Sequence, residues 1–290
     1  MLTGFRELLE ERRAAGAAAG AFTCYDVTMA CGVVRAAEQR DMPAILLVAE
    51  ASFRGESGRL LLPALVAVAE NARVPMCVQL DHVDDDALID AALAAGVGAV
   101  MADGSRLSLD ENTAWAAAVS ARANGAGVEV ELGHIEGGED VALAVEAGQL
   151  TDPDEAVRFV AGTRCDCLAV SIGNVHGRYA SRPDLDWKRL EEIRAVVDVP
   201  LSLHGASGLP EADVRHAVSL GVAKVNVNAE LRERYLTRLA DRLPGAMDGL
   251  RLLELESAVI DAVAEVVGAK LDLLSNGGGH RRRRGAIGRR

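Results

Sequence analysis

Three histidines stand where side-chain chemistry could converge: His82 beside Asp81 at the end of MCVQLDH (76–82), His176 in GNVHG, and His204 in LHGASG. Imidazoles brought together from separate segments can form an open Zn²⁺ site with positions left for water or a substrate oxygen. Each of them read alone is more readily a hydrogen-bonded rim residue, and it is the three together, two with glycines beside them, that favour the metal. An aspartate one residue from such a histidine points elsewhere from the strand end, so the two groups need not serve the same purpose. Further polar groups close other apolar runs, with Asp103 and Ser105 ending AVMADGS and Glu131 and His134 ending VEVELGH. A second site is suggested by GNVHG, HGASG and NVNAE. Glycine lets backbone approach an anion closely, and Ser207 adds a hydroxyl, so a phosphate pocket is the functional reading; plain turns are the structural one.

Eight short aliphatic or β-branched runs carry these groups: GAFTCYDV (20–27), AILLVAE (44–50), MCVQLDH, AVMADGS (99–105), VEVELGH (128–134), CLAVSIGN (167–174), LSLHGAS (201–207) and KVNVNAE (224–230). Helical pattern lies between them. Ser108 and Glu111 form a capping box, Pro210 suits a first turn, and Gly96 and Gly221 suit helix ends. Eight β-then-α units without a linker predict an α/β fold of the (β/α)8, or TIM barrel, type. An open doubly wound sheet is the alternative, because counting strands does not show closure. In a barrel the chemistry gathers at the C-terminal strand ends, where the three histidines fall. Extra helices are expected at 3–15, 229–243 and 251–274, and the long connection 134–151 is expected to be a lid. Residues 1–276 form one domain in this reading, and 277–290 a basic, Gly/Arg-rich disordered tail.

The chain has 290 residues, is 50% hydrophobic and only 3% aromatic, so its core must be aliphatic. Net charge is −12, yet the six arginines of the tail conceal a body (1–276) with 43 acidic and 25 basic side chains, −18. That balance argues against nucleic acid as a partner. The opening MLTGFRELLEERRAA is amphipathic rather than a signal peptide, and no apolar run approaches the roughly 20 residues of a membrane span. Five cysteines, with no CxxC spacing, support neither a disulfide framework nor a cysteine zinc site. The expected location is the cytoplasm.

From about residue 76 to 231 the chain resembles the class II, zinc-dependent fructose- and tagatose-bisphosphate aldolases, through LDH, VMADGS, LDEN, ELG, GGED, TDP, LAVSIGNVHGRY, LHGASG and KVNVNAEL in order. The resemblance implies zinc on His82, His176 and His204. It implies Asp81 as the acid/base acting on the aldehyde half, and Glu139, in the loop after strand five, as the group exchanging a proton at the nucleophilic carbon. Phosphate and triose contacts map onto Gly177, Gly205, Ala206, Ser207, Asn226 and Asn228. Glu131 and Asp103 are expected behind the ligands, orienting a histidine or offering an alternate metal position. The implied reaction is reversible aldol cleavage of a phosphorylated ketose through a dihydroxyacetone phosphate enolate. A monovalent cation near the phosphate and a homodimer or homotetramer also follow from the resemblance.

Departures from the family pattern fall among substrate contacts. FTCYD (22–26) replaces an Asn-containing stretch after strand one, Ala49 stands where a serine is usual, Gly138 replaces the first glutamate of GGEED, and Ala229 replaces a threonine. Altered donors change which ketose a pocket discriminates. The rival function is a non-catalytic barrel serving as partner or stabilising subunit, and retention of Asp81, His82, Glu139, His176 and His204 speaks for catalysis.

Overall fold

A computed structural model describes residues 1–137, 144–179 and 183–275. Eight parallel strands close into a barrel: β1 (Ala19–Thr23), β2 (Ala44–Ala49), β3 (Met76–Val83), β4 (Ala99–Ala102), β5 (Gly127–Leu132), β6 (Cys167–Val170), β7 (Leu201–Leu203) and β8 (Val222–Val227). Each pairs with its sequence neighbours, and β8 closes on β1. All eight overlap the predicted runs, with β1, β3, β5 and β8 reaching one or two residues beyond them, and closure disposes of the open-sheet alternative. Parallel strands covered on both faces must be apolar nearly throughout; β1, β2 and β4 to β8 are buried at every position.

The helices form where capping and periodicity place them. Ser108 and Glu111 make the expected reciprocal capping box at the start of helix Leu109–Arg122. Pro210 sits one position earlier than expected, as the residue before helix Glu211–Ser219 rather than within its first turn. The terminal helices are Phe5–Ala14, Ala229–Met247 and Leu252–Leu274.

Two apolar layers result. The larger fills the space between barrel and surrounding helices. The smaller plugs the N-terminal mouth of the barrel, where Phe5, Leu8 and Leu9 pack against Ala19, Ile45, Cys77, Ala99 and Cys167 at the strand starts. Above that plug the interior turns polar. The connection 134–151 is partly ordered into regular structure, since Ala144–Val145 pairs in parallel with Arg178–Tyr179. Backbone pairing between two such short segments carries no side-chain periodicity, so the sequence could not announce it. The tail 277–290 lies outside the described residues.

Candidate metal and active site

The three histidines converge at the C-terminal mouth, with centroids 4.6 Å apart for His82 and His176, 4.7 Å for His82 and His204, and 5.7 Å for His176 and His204. One nitrogen from each falls within 4.8 Å of the others. His82 reaches this point through an irregular strand end: the β3–β4 register shifts between Leu80 and Val83, and His82 has φ 51°. A non-glycine residue held there costs about 1–3 kcal/mol, the kind of strain that concentrates at functional sites. The twist separates neighbours as expected. Asp81 is fully buried, its Oδ2 accepting from Asn226 Nδ2 at 3.0 Å.

The outer nitrogens of two rings are tied to carboxylates. His82 Nδ1 lies 2.7 Å from Asp103 Oδ2, and His204 Nε2 lies 2.8 Å from Glu129 Oε1. That leaves His82 Nε2 and His204 Nδ1 facing each other at 2.8 Å. Burial alone would lower the His82 imidazole, but Asp81, Asp103 and Glu131 outweigh it and hold its pKa well above the ordinary value. Burial drives His204 down to about 3 against the opposing pull of Glu129. His176 is also held well below the usual range, by burial and by the neighbouring His82. The 2.8 Å contact between His82 Nε2 and His204 Nδ1 is a ring-to-ring hydrogen bond in which one of the two nitrogens carries the proton. A divalent cation would replace that shared proton, and the donor set of two carboxylate-backed imidazoles plus a third neutral one fits zinc.

Glu131 and Asp103 sit behind the ligands. Glu131 Oε2 is 3.8 Å from His82 Nδ1, and Glu131, Asp103 and His82 form a second group able to hold a metal. Burial and then the Asp103 carboxylate push Glu131 well above the usual carboxylate range, while hydrogen bonds from His82 and Ser105 hold Asp103 below it against burial.

Sequence reading missed the layer beneath. Glu129 and Lys224 are fully buried, and Lys224 Nζ lies 2.7 Å from Glu129 Oε2 and 2.6 Å from Asn226 Oδ1. Gln79 Nε2 donates to the same Glu129 oxygen at 2.7 Å. A signal was available: VEVEL carries two polar residues spaced by two, Glu129 and Glu131, and KVNVN three, Lys224, Asn226 and Asn228, which puts each set on one, inward face of its strand.

The expected phosphate residues also assemble. His176, Gly177, Gly205, Ser207, Asn226 and Asn228 line one small cradle; Ala206 is buried beside it. Gly205 is required there, since its φ is +64° and a Cβ would lie 2.0 Å from Val175 O. Asn174 Nδ2 and Tyr179 Oη donate to the carbonyls of His204 and Gly205 at 3.1 and 3.0 Å, fixing this turn. On the other side of the histidines a cavity of about 610 Å³ runs past Ala49, Glu50, Asp84, Arg106 and Trp115. Gly137 borders it with φ +104°, so close to His176 O that a Cβ would sit at 2.3 Å. Glu139 and Gly138 lie outside the described residues.

A closed barrel of parallel strands with three imidazoles and an aspartate at its C-terminal mouth defines a TIM-barrel protein with a candidate metal centre. The profile of the family "Fructose-bisphosphate aldolase class-II" matches residues 3–279. The chain belongs to the class II fructose-bisphosphate aldolase family. It is 35% identical to Escherichia coli K12 YdjI over 260 residues, 89% of this chain and 91% of that one. The YdjI crystal structure, described as that of an aldolase, superposes with a TM-score of 0.85 at 32% identity, covering 96% of this chain and 99% of YdjI. A Coccidioides immitis protein solved as a candidate fructose-1,6-bisphosphate aldolase matches with TM-score 0.85 and 32% identity over 93% of this chain and 96% of its own. Among the described residues no helix is long and apolar enough to cross a membrane.

Proposed function

We propose that this protein is a zinc-dependent aldolase that reversibly cleaves a phosphorylated ketose into dihydroxyacetone phosphate and an aldehyde. The reading rests most on one observation: His82, His176 and His204 converge with Asp81 one residue away and held by Asn226 at 3.0 Å. Zinc held by His82, His176 and His204 would supply a Lewis acid that stabilises the negative charge left on the triose half by cleavage. Asp81 takes the proton of the hydroxyl whose neighbouring C–C bond breaks, and returns it in condensation. Asn226 keeps that carboxylate aimed by donating from Nδ2 to Asp81 Oδ2. Asp103 and Glu129 hold His82 and His204 in their metal-facing orientations from behind. The cradle of Gly177, Gly205, Ser207 and Asn228 takes the triose phosphate through backbone amides and short polar side chains. Glu139 exchanges the proton at the carbon that becomes the nucleophile, as in the family. The whole of residues 1–276 serves as one catalytic domain.

The test is condensation of dihydroxyacetone phosphate with a panel of aldehydes by metal-stripped and zinc-reconstituted protein. Product from the reconstituted form alone supports the assignment. Bound zinc with no turnover of any aldehyde and no solvent exchange of a dihydroxyacetone phosphate C–H proton favours a non-catalytic barrel.

A further inference from the structure

Two of the departures from the family pattern meet in space. Tyr25, in FTCYD, donates from its hydroxyl to Asn228 Oδ1 at 3.2 Å, and its ring carries the Arg232 guanidinium at 5.5 Å from the centroid. Ala229, which replaces the threonine, lines the same small cradle as Arg232, next to Gly177, Gly205 and Ser207. The two neighbouring residues also border a larger cavity of about 690 Å³ on the outer side of that cradle. Ser207 Oγ accepts from the Asn228 amide at 3.3 Å, so the polar wall is braced from both sides.

We infer that Arg232, held against the Tyr25 ring, reads the charge of the substrate's phosphomonoester and replaces by ionic recognition what the missing threonine hydroxyl would supply. This rests on the proposed phosphorylated triose. A hydroxyl contributes one neutral hydrogen bond, whereas a guanidinium presents a planar fork that matches two phosphate oxygens and stays charged at any working pH. Stacking on Tyr25 restricts the long side chain before the ligand arrives, so less freedom is lost on binding. The Tyr25 hydroxyl meanwhile fixes the Asn228 amide in one orientation. Two acids, Glu230 and Glu233, border the outer cavity, and Glu230 is already answered, lying 2.7 Å from Lys270 Nζ and accepting from the Gly208 amide at 3.0 Å. An anion entering the cradle therefore meets a guanidinium rather than an uncompensated carboxylate at Glu230.

The experiment is calorimetric titration of inorganic phosphate into zinc-loaded protein at constant ionic strength, for wild type, Arg232→Gln, Arg232→Lys and Tyr25→Leu. Expected is a loss of at least tenfold in phosphate affinity for Arg232→Gln, a smaller loss for Arg232→Lys, and an intermediate loss for Tyr25→Leu. Zinc content per chain and the melting temperature in phosphate-free buffer are measured on the same samples, and both stay at wild-type values. Wild-type binding with a Gln variant within twofold of it overturns the inference and leaves the aldolase reading standing. Parallel loss of zinc and melting temperature in that variant also overturns it, assigning Arg232 a structural role. Wild type that binds no phosphate overturns both the inference and the phosphorylated-substrate reading.

Discussion

Lys224 and Glu129 form an ion pair with no solvent exposure on either side, 2.7 Å apart, directly beneath the candidate metal centre. Removing one partner leaves the other as an uncompensated buried charge, which costs about 3–5 kcal/mol. For a barrel of this size each kcal/mol lowers Tm by roughly 2–4 °C, so Lys224→Met should melt roughly 6–20 °C below wild type. Glu129→Gln should fall in the same range, because the buried ammonium then loses its contacting carboxylate and hydrogen-bonds only neutral oxygens such as Asn226 Oδ1 at 2.6 Å. The double variant removes both charges and should be more stable than either single one, giving a coupling of about 2 kcal/mol or more in the double-mutant cycle. Acid dependence supplies a second readout. Burial alone would raise the Glu129 carboxyl, but Lys224 and the hydrogen bonds from His204 and Gln79 hold it well below the usual carboxylate range. A carboxyl depressed in the folded state contributes stability above its unfolded pKa, and that contribution is lost as pH falls through the folded value. Below about pH 4.5 the wild type therefore loses stability that Lys224→Met never had, and the variant's acid limb is flatter. Denaturant melts of metal-free protein across pH 3–8 measure both effects. A double variant whose loss equals the sum of the two single losses, with parallel acid limbs, would refute the reasoning.

Asp81→Asn is expected to lower aldol cleavage by roughly 10² to 10⁴ while zinc stays bound, since the usual worth of a positioned acid or base is at stake and no ligand is removed; steady-state rates with zinc analysis check it. His204→Ala should lose zinc outright, because the remaining two imidazoles of the set are too few for a stable site; metal content after dialysis is the readout. Zinc binding should release a proton to the buffer near neutral pH, since His82 is raised by its three carboxylate neighbours and must lose that proton before its nitrogen can bind metal. Apparent zinc affinity then falls as pH drops below the raised value, and titrations in buffers of different ionisation enthalpy would contradict this if they gave identical heats. Glu139→Gln should abolish exchange of a dihydroxyacetone phosphate C–H proton with solvent while Asp81→Asn keeps much of it; equal loss in both, with zinc intact, would mean the two carboxylates do not divide the work.

The barrel was legible because a fully buried parallel strand leaves a continuous aliphatic run, and eight of them alternate with capped helices. The convergence of His82, His176 and His204 was legible for a related reason: each interrupts or follows such a run, where an apolar strand has no cause to end on an imidazole. Register was not. Nothing in MCVQLDHV signals the shift between Leu80 and Val83 that puts His82 at positive φ, because the shift depends on how β4 is placed beside it. Glu129 and Lys224 were missed because each reads singly as an ordinary charged residue; their spacing with Glu131 and Asn226 marks an inward face, but that the two pair follows only once β5 and β8 belong to one closed barrel. The meeting of Tyr25 with Arg232 spans more than two hundred positions and follows only from β8 pairing with β1. Pairing of that kind is a property of closure, and closure is not written in any local pattern.

The central claim is that three histidines make this barrel a metal-dependent aldolase, and proton exchange at the triose tests it with the fewest assumptions because no aldehyde need be guessed. Protein stripped of metal and then reconstituted with zinc is incubated with dihydroxyacetone phosphate in deuterated water, and loss of one C–H signal is followed by NMR. Exchange that is absent in the stripped form, appears with one zinc per chain and disappears in His204→Ala is the predicted result. Zinc bound at one per chain with no exchange, or exchange at the same rate after exhaustive chelation, would contradict it.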